Sequence, residues 1–124
     1  MAKRIFISGK MSGLTEEESK LCFSNAEERL KRDGYDVVNP WNIPVPSDYA
    51  GQLLESLHVL AQCDAIYMLH NWTDSNGSRC EYYFAKGSGM EIIFDNEYLR
   101  EKLEHGINEV TKKISEFTKK SKNF

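Results

Sequence analysis

The chain has 124 residues, of which 40% are hydrophobic and 28% charged, and its formal net charge is −3. This length and composition predict a single globular domain over residues 1–124 that buries its own core without a disulfide or metal. The apolar runs are too short for a membrane span, and the acidic balance argues against general nucleic-acid binding. No apolar leader opens the chain, so we expect a cytoplasmic protein.

Cysteine and histidine spacing gives no sign of a metal centre. The three cysteines are far apart and form no C-x-x-C pair, and the three histidines do not cluster. We therefore expect no disulfide framework, no metal and no cofactor.

Short apolar strands alternate with amphipathic helices in the first half of the chain. A strand is predicted at Arg4–Ile7, and a capping box at Thr15–Glu18 begins a helix that ends at Gly34. A second strand follows over residues 35–39, and three prolines then predict a loop over residues 40–48.

The second half repeats this alternation. An apolar stripe predicts a helix over residues 49–60, followed by a strand over 64–69 and a short helix over 80–86. A fourth strand is predicted over 90–94, and residues 95–124 form a long final helix. The order β-α-β-α-β-α-β-α predicts an α/β fold, a small doubly wound, Rossmann-like parallel sheet of four strands with helices on both faces.

The expected strand order, 2-1-3-4, places a topological switch point between the first and third strands. Ligands of such sheets bind there, at the carboxyl ends of the strands. The loops that follow these two strands, residues 8–13 and 70–78, are rich in glycine, serine and asparagine. We therefore expect the binding site between them.

The final helix carries an apolar seam at spacings of four and three residues. Packing against the sheet would explain this seam, and so would self-association into a homo-oligomer. Its members are Leu99, Leu103, Ile107, Val110, Ile114 and Phe117.

The loop over residues 8–13 contains two glycines but matches neither the dinucleotide-binding nor the phosphate-loop fingerprint. It is compatible with a plain turn and with close approach of the backbone to a ligand.

The segment 74–81 leaves a strand and enters a helix, so its first amides are suited to an anion. Glu81 is expected in the first helical turn, ionised with the help of the helix dipole. It could act as a nucleophile, or it could simply stabilise the helix. Trp72 beside this segment could stack on a base or form an aromatic lid over the core.

Four segments in register resemble the nucleoside 2-deoxyribosyltransferase superfamily and, more narrowly, a branch of small bacterial and phage members similar to deoxynucleoside 5′-monophosphate N-hydrolases. The similarity covers about residues 3 to 94, without the final helix. The segments are Ile5–Gly13, Gly34–Pro40, Cys63–Leu69 and Ser75–Glu81.

This resemblance implies that Glu81 attacks the anomeric carbon of a 2′-deoxynucleoside or its 5′-monophosphate, with water or a second base completing the reaction. It makes Gly77 the turn glycine before the nucleophile. Ser75 and Asn76 would hold the 5′ end of the substrate. The residues expected around the sugar and base are Ser8, Gly9, Lys10, Met11, Gly13 and Trp72.

Three positions bear on the type of activity. Ser75 is typical of the phosphate-binding hydrolases in the family, and Lys10 would favour a 5′-phosphate, whereas Asp74 works against one. Ser56 occupies the position of a family aspartate that helps protonate the leaving base, and Glu55 beside it is rotated by about 100°. A catalytically weak nucleotide-binding or sensing module is therefore the alternative, and an assembly protein that acts through the seam is a third interpretation.

Overall fold

The computed structural model describes residues 2–11, 13, 15–44 and 48–122, with side chains described as far as residue 117. Part of the predicted loop over 40–48, residues 45–47, lies outside the described residues. The strands are β1 (Arg4–Ser8), β2 (Asp36–Val38), β3 (Ala65–Met68) and β4 (Glu91–Phe94). The α-helices are α1 (Glu16–Arg32), α2 (Tyr49–Leu60), α3 (Asn76–Gly87) and α4 (Asp95–Lys122).

The four strands form one parallel sheet in the order β2-β1-β3-β4. This result confirms the predicted α/β class and strand order. The two central strands are apolar and buried because the sheet is covered on both faces. Phe23 and Leu30 of α1 pack on one face, and Leu60 and Ala85 pack on the other.

Side-chain caps determine where the helices begin. Thr15 accepts a hydrogen bond from the Glu18 amide, which confirms the predicted start of α1. Ser75 accepts one from the Ser78 amide, so α3 begins at Asn76 rather than at residue 80 as predicted. The early start of α3 places Glu81 in its second turn.

One buried carboxylate fixes the start of α4 to the sheet. Asp95 is 6% exposed; it accepts a hydrogen bond from the Tyr67 hydroxyl and lies 3.1 Å from Nη2 of Arg29. Burial is the main cause that raises the pKa of Tyr67, so this phenol stays a donor. Beyond the first turn the seam of α4 is exposed, and packing against the sheet does not account for it.

None of the helices in the described part of the chain is long and apolar enough to cross a membrane.

Candidate functional site

A cavity of about 580 Å³ opens at the carboxyl ends of β1, β2 and β3. This volume lies within the range of small-molecule sites. The cavity is lined by Gly9, Met11, Pro40, Trp41, Ile43, Tyr49, Gln52, Leu53, Ser56, Asp74, Ser75, Asn76, Gly77, Ser78 and Glu81.

Glu81 is the buried carboxyl of this cavity. Its side chain projects from α3, the residue is 8% exposed, and its Oε1 accepts a 2.6 Å hydrogen bond from the Ser8 hydroxyl. Burial raises the pKa of Glu81 to about 7, although the Ser8 hydrogen bond acts in the opposite direction. The expectation that Glu81 lies in the first helical turn is wrong, because α3 begins at Asn76 and Glu81 lies one turn deeper.

The Ser8 hydroxyl that holds this carboxyl is itself hydrogen-bonded to the buried hydroxyl of Ser78. The hydroxyls of Ser8 and Ser78 lie 2.6 Å apart, and both residues are 1% exposed. Ser8 ends the central strand β1, whereas Ser78 lies in the first turn of α3. The end of β1 thus contacts the Glu81 carboxyl directly through Ser8, and the first turn of α3 holds Ser8 in place through Ser78.

The loops after β1 and β3 meet as expected at the switch point. The Lys10 amide donates a 3.0 Å hydrogen bond to Oδ1 of Asn71. A Cβ atom at Gly9 would lie 2.7 Å from Cδ1 of Leu69, so only glycine fits at this approach. This close contact brings the backbone of residue 9 to the edge of the cavity.

The structure brings together most of the residues expected at the site. Gly9, Met11, Ser75, Asn76 and Gly77 line the cavity beside Glu81, while Ser8 reaches it through its hydrogen bond to that carboxyl.

Three expected residues lie elsewhere. Trp72 is packed in an aromatic cluster with Tyr82 and Phe94, so it covers the core and does not line the cavity. Lys10 and Gly13 are also outside the described lining; a Cβ atom at Gly13 would lie 3.3 Å from Nζ of Lys10. The ammonium group of Lys10 therefore lies beside its own loop.

Sequence reasoning missed the wall that follows β2. Trp41 lines the cavity, and its indole Nε1 donates a 3.2 Å hydrogen bond to Oγ of Ser19. Tyr49 and Leu53 of α2 continue this wall. The predicted strand order could have revealed this wall, because β2 lies next to β1. The carboxyl ends of both strands therefore meet at the edge of the sheet where the cavity lies.

The cavity is acidic. Its described lining includes the carboxyls of Asp74 and Glu81 and no lysine, arginine or histidine. The nearby Arg79 guanidinium instead donates to the Thr73 carbonyl and to Oδ1 of Asn76. Within the described residues no group of three potential metal ligands occurs.

Ser56 lines the cavity, whereas Glu55 is not part of its described lining. The neighbouring glutamate is thus not placed to replace an acid at position 56. Asp74 is the second carboxyl that reaches the cavity.

Comparison with solved structures identifies the fold. The chain is similar to a 2-desoxiribosyltransferase from Leishmania mexicana, with a TM-score of 0.59 and 16% sequence identity. The similarity covers 74% of this chain and 63% of that protein, so the chain spans less than two thirds of its length. The fold is therefore that of a deoxyribosyltransferase.

Comparison of sequences gives a family. Curated proteins include no match to the chain. A family profile described as "Domain of unknown function (DUF4406)" matches residues 3–94, that is, all four strands and the first three helices. The chain therefore belongs to the DUF4406 family.

Proposed function

We propose that the protein cleaves or transfers the N-glycosidic bond of 2′-deoxynucleosides, with Glu81 as the nucleophile. The observation that carries this proposal is the position of the Glu81 carboxyl, buried in a cavity at the switch point and held on one side by Ser8. The likeness to a deoxyribosyltransferase fold supports the same chemistry.

The reaction has two balanced steps. A carboxylate oxygen of Glu81 attacks C1′ of the sugar while the C1′–N bond breaks, and the base leaves with the bonding electrons and takes up a proton from water. Water or a second base then attacks C1′ and releases a proton to the solvent, and the bond between the sugar and Glu81 breaks to restore the carboxylate. Two displacements at one carbon retain its configuration.

Ionisation of Glu81 controls the first step. With a pKa of about 7, this carboxyl carries a proton in a large share of molecules at neutral pH, and only the ionised form is a nucleophile. The Ser8 hydroxyl favours the ionised form because it donates its hydrogen bond to the carboxyl. Activity should therefore rise with pH through about 7.

The charges of the cavity favour an uncharged nucleoside over a 5′-monophosphate. A phosphate dianion would enter a described lining that contains two carboxyls and no basic side chain. Lys10, which would favour a phosphate, is not among the lining residues, whereas Asp74 is. Asp74 and Ser75 instead suit the 5′-hydroxyl, since each offers an oxygen acceptor to it.

The apolar wall is suited to the base. Trp41 and Tyr49 present aromatic groups to the cavity, and Ile43 and Leu53 add aliphatic surface. Stacking of a base on aromatic side chains is worth roughly 1–3 kcal/mol. We therefore assign the base to this wall, in place of the role first expected for Trp72.

A catalytically weak binding module is the second candidate. Ser56 favours it, because a hydroxyl at this place in the cavity cannot supply the leaving base with a proton as a carboxylic acid would.

Base release from a panel of 2′-deoxynucleosides and their 5′-monophosphates, followed by chromatography with and without an acceptor base, tests the proposal. We expect release from the nucleosides, its loss in Glu81→Gln and Glu81→Ala, and full activity in the exposed control Glu28→Gln. Activity in both Glu81 variants would disprove the assignment of the nucleophile. Nucleoside binding without turnover would support the binding module, and turnover of monophosphates alone would contradict the charge argument.

A further inference from the structure

The final helix presents an apolar stripe to solvent after its first turn. Leu103, Ile107 and Val110 are 66%, 55% and 57% exposed. Most of the stability of a helix in a protein comes from the packing of its apolar face, and exposed apolar stripes of this kind indicate an interface. The stripe lies outside residues 3–94, the part of the chain matched by the family profile.

Charge is distributed unevenly along α4. Residues 95–109 contain five acidic and two basic side chains, whereas residues 110–122 contain one acidic and five basic side chains. Two such helices attract each other when they run in opposite directions, because each acidic half then faces a basic half. Parallel helices would place like charges together.

The apolar positions are arranged to match in the antiparallel direction. When Ile107 of one copy faces Val110 of a second, Leu103 faces Ile114 and Leu99 comes opposite Phe117. The same contacts repeat on the other side of a two-fold axis near residues 108–109, as an isologous interface requires. A parallel pair would instead stack each residue on its own copy, so the apolar seam fits both directions and the charges select between them.

From these two observations we propose that α4 is a dimerisation element that pairs with α4 of a second copy in antiparallel orientation. The stripe provides the apolar contact, and the opposite charges of the two helix halves select the direction. This inference does not depend on the proposed activity.

The first experiment measures the mass of the full chain in solution by sedimentation over a range of concentrations. We expect twice the 14.3 kDa of one chain. Ile107→Glu should raise the dissociation constant of the dimer roughly 100-fold, because two copies of the side chain leave the interface. Asn108→Glu adds the same charge one position outside the seam and should leave the dimer intact. A monomer at every concentration, or a dimer unaffected by Ile107→Glu, would overturn the proposal.

The second experiment tests whether the two α4 helices run antiparallel. Reversing two basic charges, in Lys112→Glu/Lys113→Glu, should weaken an antiparallel dimer roughly tenfold, because several attractions between exposed charges are lost. Adding Glu101→Lys/Glu104→Lys should restore part of the affinity, because the new glutamates at 112 and 113 then face a segment of the second helix that carries new lysines. A parallel dimer would be strengthened by the lysine reversal alone, and that result would contradict the orientation.

Discussion

The hydroxyl of Ser8, at the end of β1, donates a 2.6 Å hydrogen bond to Oε1 of Glu81, 73 residues later in the chain. This contact joins the central strand to the second turn of α3. The hydrogen bond favours the ionised carboxylate and so opposes the burial that raises the pKa of Glu81 to about 7.

Ser8→Ala should therefore move the acidic limb of the pH–activity profile to higher pH. Without the donor, the ionised carboxylate loses about 1.5–3 kcal/mol of stabilisation, so activity at pH 6 should fall roughly tenfold or more and recover in part at pH 8. The profile of kcat against pH measures this effect. Ser24→Ala, which removes a hydroxyl bonded to the Leu21 carbonyl, serves as the control. An equal loss at every pH would indicate a merely structural role for Ser8.

Glu81 should also make the folded protein less stable as the pH rises. Folded Glu81 keeps its proton up to about pH 7, whereas in the unfolded chain its pKa returns to the ordinary glutamate value of 4.5. The folded state therefore binds more protons between these values, and stability falls across this window by about 3 kcal/mol.

Urea unfolding at pH 4 and pH 8 tests whether stability falls as the pH rises. Glu81→Gln cannot ionise, so its stability relative to the parent should be about 3 kcal/mol greater at pH 8 than at pH 4. Glu28→Gln, on the exposed side of α1, should show no such difference. A stability difference that does not depend on pH would contradict the raised pKa.

Asp95→Ala should strongly destabilise the fold. The substitution leaves the Arg29 guanidinium and the Tyr67 hydroxyl without their shared partner, and breaking a buried pair in this way costs about 3–5 kcal/mol. Asp36→Ala removes the exposed partner of Arg4 and should cost far less, because both charges are in contact with water. Chemical denaturation measures the free energy of unfolding of both variants. An equal loss of stability in the two would contradict the role of Asp95 in fixing α4 to the sheet.

Two glycines of the cavity should respond differently to alanine. Gly9→Ala places a methyl group 2.9 Å from Cβ of Leu69, which is close to the backbone and cannot move away freely, so we expect a loss of about 1–3 kcal/mol. Gly77→Ala meets the Tyr49 hydroxyl at 3.4 Å, an ordinary contact, and should leave stability unchanged or slightly higher. Thermal unfolding measures both. A stable Gly9→Ala protein would show that the approach of the loop to Leu69 is looser than described.

The pattern of apolar residues in the sequence was sufficient to predict the sheet. The apolar runs of β1 and β3 are buried strands, and the alternation of elements determined their order. Local chemistry also identified Thr15 as a cap. The start of α3 was misplaced because the polar residues after Ser75 look like a loop until the serine cap is recognised.

The environment of Glu81 could not be read from its neighbours in sequence. Its pKa depends on Ser8, which is distant in the chain, and on burial under the loops after three different strands. Trp41 and Tyr49 were missed for a similar reason, since aromatic residues near a proline-rich loop look like surface or core until the third strand end is included. Trp72 lies in an aromatic cluster with Tyr82 and Phe94, which is the lid over the core that the sequence left open as the alternative.

The anchoring of α4 through Asp95 also has a consequence at long range. The helix spans about 40 Å at 1.5 Å per residue, and in the described part of the chain its attachment to the sheet is concentrated in the first turn. Such a helix behaves as a lever arm, because a tilt of about 5° at Asp95 displaces the distal end by roughly 3 Å. The contacts of Asp95 therefore set the direction of α4. A substitution at Asp95 would shift the positions of the residues at the far end of the helix.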